Sequence, residues 1–285
     1  MNVAFQGVHG AYSEQAARGV LGRGITTSPC ATFAEVFDHV ERRRADRGII
    51  PVENSLAGSI HENYDLLLER DLHIVGETHL RIEHALLAPR ASTLGALTTV
   101  RSHPQALAQC SRFLQAHPAI RPVPFFDTAG AAEAVAREAE AGGAAIAGTY
   151  AAKLYGLRVL KRNIENSASN FTRFLVLARA PWHFSRGVAT RSSIVFTPVE
   201  NRPGILFHIL GVFALRAIDL LKIESRPDPR SPFAYLFYAD IAGGPHEDRV
   251  ARAFDHLREI VSHFRLLGTY PAERVPLRTR RRRRG

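Results

Sequence analysis

The first 180 residues carry short apolar runs, each followed by a stretch with helical spacing. Val3-Ala-Phe5 reads as a strand, a glycine turn Gln6–Gly10 follows, and Tyr12 to Ala17 opens a helix with Ser13 as its expected N-cap. Thr32 and Glu35 have the spacing of a capping box, and Phe33, Val36, Phe37 and Val40 mark the buried face of that helix. Ile49–Val52 is a strand, followed by a helix with Ile60, Tyr64, Leu67 and Leu68 on one side. Strands are predicted at Leu72–Val75, Arg81–Ala88, Leu97–Val100, up to Phe126, at Ala144–Ala147 and at Phe174–Ala178. Helices are predicted from Pro104, from Asp127-Thr128 and over Thr149–Tyr155. This alternation implies an α/β protein with mainly parallel, doubly wound sheets.

After Pro181–Gly187, an irregular stretch rich in Gly and Pro, the pattern changes. Ser192–Thr197 reads as a strand, and Pro203 opens a helix with Leu206, Ile209, Leu210, Phe213 and Ala217 inward. Strands Leu220–Ser225 and Phe233–Ile241 follow, then a helix from Glu247 to His263 and a last strand Phe264–Leu267. The order βαββαβ is ferredoxin-like, and pairing of two such sheets would cover their exposed edges.

Composition narrows the class. With 285 residues, 46% hydrophobic and 22% charged, the chain has room for two soluble domains. No apolar run approaches the roughly 20 residues of a membrane helix, and the N-terminus lacks the layout of a signal peptide. Two cysteines, Cys30 and Cys110, give neither a disulfide framework nor metal spacing, so a reducing compartment, the cytoplasm, is expected. The net charge of +10 is mostly local: Arg278 and Arg280–Arg284 supply six charges and leave +4 for the rest. A basic tail reads as a solvated, disordered end, and no groove-reading motif points to specific nucleic-acid binding.

Polar side chains gather where strands end: Glu53-Asn54-Ser55, Ser102-His103-Pro104-Gln105, and the loop Asn166–Asn170 that runs into Thr172 and Arg173. Loops at strand ends form the usual binding crevice of α/β folds. Each cluster also has a plain reading as a helix cap or turn, and His103 has no second ligand at metal spacing.

Taken together and in order, these segments resemble the prephenate dehydratase family over nearly the whole chain. Gly10-Ala-Tyr-Ser-Glu-Gln-Ala-Ala17 is similar to its N-terminal signature. Pro51-Val-Glu-Asn-Ser55 with Gly58-Ser59, Ser102-His-Pro-Gln105 with Cys110, and Thr172-Arg-Phe174 are similar to its active-site segments. Asn201-Arg-Pro-Gly-Ile-Leu-Phe207 and Glu224-Ser-Arg-Pro227 resemble the effector motifs of its ACT domain. Ile205 stands where Ala is more usual, and Val8-His9 replaces a Pro-containing turn. Ser59 to Leu68 and Phe213–Arg216 are especially like plant-type arogenate dehydratases.

The resemblance implies a catalytic domain over 1–180 built like a type II periplasmic binding protein. Lobe one takes about 1–78 and 162–180, and lobe two about 79–161. A linker 181–190, an ACT regulatory domain 191–273 and a basic disordered tail 274–285 complete the chain. It implies decarboxylating dehydration of prephenate to phenylpyruvate, with arogenate dehydration as the alternative and a non-catalytic amino-acid sensor as a remote one. No metal or other cofactor is expected. In that reading Thr172 is a hydrogen-bond donor or acid to the departing hydroxyl, Arg173 grips a carboxylate, and Asn54, Ser55, Ser102 and Gln105 orient the substrate. Glu53 acts as a donor or a charge, and Phe174 and Asn170 form the wall. L-Phenylalanine is the expected effector, held by Asn201, Pro203, Gly204, Ile205, Leu206, Glu224, Ser225 and Arg226. A homodimer or homotetramer through ACT domains is expected, with no membrane partner.

Overall fold

The computed structural model describes residues 1–273 apart from 140, 185, 186, 201 and 229–234. Contacts divide the chain into two compact units: Met1–Ile74 with Leu80–Pro181, and Val75–His79 with the chain from Trp182 onward. The five residues Val75–His79, which span the expected boundary between the two lobes at 78, join the second unit through polar contacts. Arg191 pairs with Glu77 at 2.7 Å, and the Glu273 carboxylate accepts from Thr78 Oγ1 and the His79 N–H.

The first unit opens with β1 (Asn2–Gln6), α1 (Tyr12–Leu21), β2 (Thr26–Cys30), α2 (Phe33–Glu41), β3 (Arg47–Asn54), β4 (Gly58–Ser59), α3 (His61–Glu69) and β5 (His73–Arg81). It continues with β6 (Ala85–Ala88), β7 (Thr99–Ser102), α4 (Pro104–Gln109), α5 (Ser111–Gln115), β8 (Arg121–Pro124), α6 (Thr128–Glu138), β9 (Gly143–Ala147), α7 (Thr149–Tyr155) and β10 (Arg158–Lys161). It then returns as β11 (Phe171–Ala178). Lobe one is a sheet of order β2-β1-β3-β11-β5 with β4 on β3; lobe two is a sheet of order β10-β6-β9-β7-β8. One side of each sheet is parallel as expected, β1 with β2 and β3, β7 with β8 and β9. β11 runs antiparallel to β3, and β6 antiparallel to β9 and β10. A strand entering from the other lobe needs no helical crossover, so it can take either direction.

Sequence chemistry explains the elements. The Thr32–Glu35 cap forms, with the Glu35 N–H donating to Thr32 Oγ1 at 3.2 Å and the Glu35 carboxylate accepting from the Ala31 N–H at 2.7 Å. The expected cap at Ser13 does not: Ala11 occupies that position, and Glu14 accepts from the Gly10 N–H at 2.8 Å instead. Gly10 has φ +92°, and a Cβ there would meet the Ala151 Cβ at 3.1 Å. β9 is buried throughout and small, so helices pack on both faces: Ala144 and Ile146 pack with Leu107 and Phe113, Ala145 and Ala147 with Ala131 and Ala151. Phe126, expected in a strand, lies beyond β8 and is exposed.

The second unit holds β12 (Thr190–Pro198), α8 (Ile205–Ala214), β13 (Leu220–Pro227), β14 (Tyr235–Ala242), α9 (Asp248–Ile260) and β15 (Val261–Pro271), an antiparallel sheet of order β13-β14-β12-β15. Ile194, Phe196 and Ile241 pack against Ile209 and Phe213 of α8 and Phe254 and Leu257 of α9. α9 stops at Ile260 rather than His263, and β15 spans 11 residues because it pairs along β12 from Pro198 back to Thr190. Pro203 precedes α8 instead of starting it: Gly204, in the left-handed region at φ 82°, is the N-cap. Asn201, Phe233 and the tail from 274 lie outside the described residues. No described helix is long and apolar enough to cross a membrane.

Candidate active site

A cavity of about 520 Å³ lies within the first unit, bounded by residues of both lobes. Its floor is the strand pair β3–β11. Register sets Thr172 opposite Asn54 and Arg173 opposite Glu53. Alternation then turns Thr172 and Phe174 to the cavity, which both line, and Arg173 to the other face.

One chain of hydrogen bonds organises the polar lining. Asn54 Oδ1 accepts from the Leu56 and Ala57 N–H groups at 3.1 and 3.0 Å. Its Nδ2 donates to Asn170 Oδ1 at 2.7 Å and to Thr172 Oγ1 at 3.0 Å. Asn170 Nδ2 donates to Gln109 Oε1 at 2.9 Å, and His84 Nε2 stands 2.9 Å from the same oxygen. His84 Nδ1 is 3.0 Å from the Tyr12 hydroxyl, itself 2.9 Å from the Glu83 carbonyl. Since Thr172 Oγ1 accepts from Asn54, its own proton is left for whatever fills the cavity. A hydroxyl aimed in this way can stabilise an oxygen that gains negative charge.

Burial lowers the His84 pKa, against the raising effect of its Gln109 bond and of Glu165, and so favours the neutral imidazole. Burial also pushes the Tyr12 phenol well above its usual range. Asp127 is raised by burial despite the Gly130 N–H that its Oδ1 caps. Burial takes the Cys110 thiol to about 12, so it stays protonated and inert. Tyr12 and Ser13 of α1, and Asp127 and Thr128 at the start of α6, line the cavity, so two helix N-termini face it and favour an anion. Neither Lys nor Arg is among the lining residues.

Asn54, Gln105, Thr172 and Phe174, singled out in the sequence, meet here. The others do not line the cavity. Arg173 and Glu53 stand opposite each other across the strand pair, so the expected carboxylate grip and the expected role of Glu53 fall on residues outside the cavity lining. Ser55 ties the β11 entry loop, donating to the Ser169 carbonyl at 2.7 Å and accepting from the Phe171 N–H at 2.9 Å. Ser102 is fully buried and donates to the Ile146 carbonyl at 2.6 Å, joining β7 to β9. Asn170 sits behind the wall, holding Asn54. Sequence reasoning missed Tyr12, His84, Gln109 and Asp127. Gln109 had a usable signal, four residues after Gln105 on one helix face.

A second cavity, of about 490 Å³, lies in the second unit between the β12–α8 turn and β14. Gly204, Ile205 and Leu206 line it with Phe207, Tyr235 and Phe237. Pro203, Glu224, Ser225 and Arg226 do not, and Glu224 pairs with Lys222 at 3.1 Å.

Comparison with known proteins bears on both cavities. The family model for prephenate dehydratase matches residues 3–181, and that for the ACT domain residues 193–257. The chain is 44% identical over 286 residues to arogenate dehydratase/prephenate dehydratase 2 of Arabidopsis thaliana, covering 97% of this chain and 74% of that protein. A solved structure of prephenate dehydratase from Arthrobacter aurescens in complex with L-Phe superposes with a TM-score of 0.86 at 30% identity, covering 97% of this chain and 93% of that one. Another, described as GqqA, a quorum-quenching acylase, gives a TM-score of 0.88 at 38% identity and covers 96% of this chain and 98% of that one.

Proposed function

Because this chain belongs to the prephenate dehydratase family, we propose that its first cavity converts prephenate to phenylpyruvate with loss of carbon dioxide and water. The carrying observation is the free hydroxyl proton of Thr172, made available by the donation from Asn54. In the reaction the bond from the ring to its carboxylate breaks, and its electron pair completes the aromatic ring. The ring C–O bond breaks at the opposite carbon, and the departing hydroxide takes up a proton to become water. Thr172 is placed to meet that oxygen. A threonine hydroxyl is a weak acid, so its contribution comes from its fixed position in the cavity rather than from acidity. The N-termini of α1 and α6 supply the positive potential for the carboxylates.

Arogenate is the alternative substrate. The Arabidopsis relative is named for both. A lining with the Asp127 carboxylate and without Lys or Arg suits a substrate whose ammonium cancels one negative charge. The second cavity is the proposed effector site for L-phenylalanine, supported by the solved relative described as complexed with that amino acid. Its apolar wall of Ile205, Leu206, Phe207 and Phe237 suits a benzyl side chain. We further propose a homodimer or homotetramer formed through the ACT domains, working in the cytoplasm.

Purified protein assayed on prephenate and arogenate side by side, with and without L-phenylalanine, tests this reading. Turnover of at least one, changed by phenylalanine, is expected. Absence of turnover on both overturns it.

A further inference from the structure

We propose that His84 is a positioning residue of this reaction: its Nε2–H fixes the Gln109 amide, and with it the NH₂ that Gln109 offers to the cavity. The proposal rests on the dehydratase reading of the cavity.

The direction of every bond in the chain follows from one end. Two backbone N–H groups, of Leu56 and Ala57, point at the same atom of the Asn54 side chain, which must therefore be oxygen. The other atom is then nitrogen and donates, so the Asn170 atom 2.7 Å away is oxygen. Asn170 consequently presents its nitrogen to Gln109, and the Gln109 atom at 2.9 Å is oxygen. That oxygen lies 2.9 Å from His84 Nε2, which must carry a hydrogen. The neutral imidazole then has its lone pair on Nδ1, 3.0 Å from the Tyr12 hydroxyl, whose single proton is shared between that lone pair and the Glu83 carbonyl at 2.9 Å. Gln109 Oε1 is saturated by its two donors, and its amide NH₂ is left for the cavity that Gln109 lines.

Amide N–H groups are not acidic enough to pass protons along such a chain. The chain transmits orientation, so His84 holds a geometry and does not supply the proton that leaves as water. Its burial, 2% exposed, and its preference for the neutral form fit that role. Without the Nε2–H, one lone pair of Gln109 Oε1 is released and the amide can rotate, so its NH₂ loses its fixed direction toward the cavity, while Asn54 keeps its sense from the Leu56 and Ala57 N–H groups.

Two isosteric changes separate positioning from mere packing. His84→Gln carries an amide NH₂ to the level of Nε2; His84→Asn is shorter and reaches only the level of Nδ1. His84→Gln is expected to keep kcat within about fivefold of the parent. His84→Asn is expected to lose about 10²-fold in kcat with KM within about threefold, the scale of a small misplacement of reacting groups. Equal kcat in the two variants, whether high or low, would overturn the proposal. If His84→Asn does not fold, ¹⁵N NMR of the parent decides, with His84 assigned by difference from His84→Gln. A proton on Nε2 at neutral pH is expected, and one on Nδ1 contradicts the proposal. Parent protein inactive on both prephenate and arogenate would refute the dehydratase reading instead, and leave the tautomer measurement standing on its own.

Discussion

The two cavities are of similar size and differ in how far they are finished. In the first, polar atoms are joined to one another, and the unused donors are those facing inward. The second is bounded by apolar groups that stay open: Phe207 is 78% exposed, Val199 64% and Tyr235 46%. Its charged rim, Arg202 with Glu200 at 2.6 Å, is an exposed pair that contributes little by itself. The first cavity has its dipoles set before a ligand arrives, which is what chemistry on a developing charge requires. The second offers apolar area that gains only when covered, which suits a ligand that shifts a population.

If that contrast holds, removing one hydroxyl from the first cavity should hurt turnover and leave folding nearly intact. Thr172→Ala is expected to lower kcat on the order of 10²–10³-fold with KM changed far less. Steady-state kinetics on the better substrate checks it; unchanged kcat would remove Thr172 from the reaction.

The second cavity should respond the other way. Among the described residues a side chain at Gly204 would meet no neighbouring atom within 4 Å, so the obstacle they present to Gly204→Ala is its φ of +82°. That conformation costs an L-residue about 1–2 kcal/mol, or on the order of tenfold in effector affinity if the cost falls on the bound form. The measurement is a phenylalanine titration of activity. Weaker response with kcat unchanged in the absence of phenylalanine is expected, and a fall in basal kcat would break the division of labour.

The smallest expected effect concerns the turn beside the first cavity. Burial works to raise the Glu14 pKa, but the Gly10 N–H, Arg18 and Thr27 outweigh it and hold it below the usual value. The contribution of Glu14 is therefore present above the pKa of the unfolded chain and lost as pH falls through the lower folded pKa. Glu14→Gln should cost about 1–3 kcal/mol at pH 7. The gap between the two proteins should narrow as pH falls through that acid range. Urea midpoints measured against pH give the answer, and a gap that widens in acid would contradict the assignment.

Much of this was legible in the chain. Turn formers, caps and apolar runs located most strands and helices, and the Thr172 and Asn54 segments drew notice as polar residues at strand ends. Faces were harder to read. Thr172 and Arg173 are neighbours, and nothing local says which of them a strand turns inward; pairing with β3, irregular between Arg173 and Phe174, decides it. Ser55 and Ser102 looked like ligands, but their hydroxyls are used by carbonyls brought near only by folding. His84 was hidden in a segment read as one strand, Arg81–Ala88, which in fact breaks between β5 and β6. A residue in such a crossing gains its role from Tyr12 and Gln109, distant in sequence.

The central claim is that Asn54 donates to Thr172 and so frees the hydroxyl proton for the cavity. Asn54→Asp tests it most directly, because it keeps the shape and the two backbone donors but turns the donor to Thr172 into an acceptor. The kcat of this variant should fall on the order of 10²–10³-fold although Thr172 is intact, since the hydroxyl would now be drawn to the carboxylate. Turnover close to that of the parent would contradict the account.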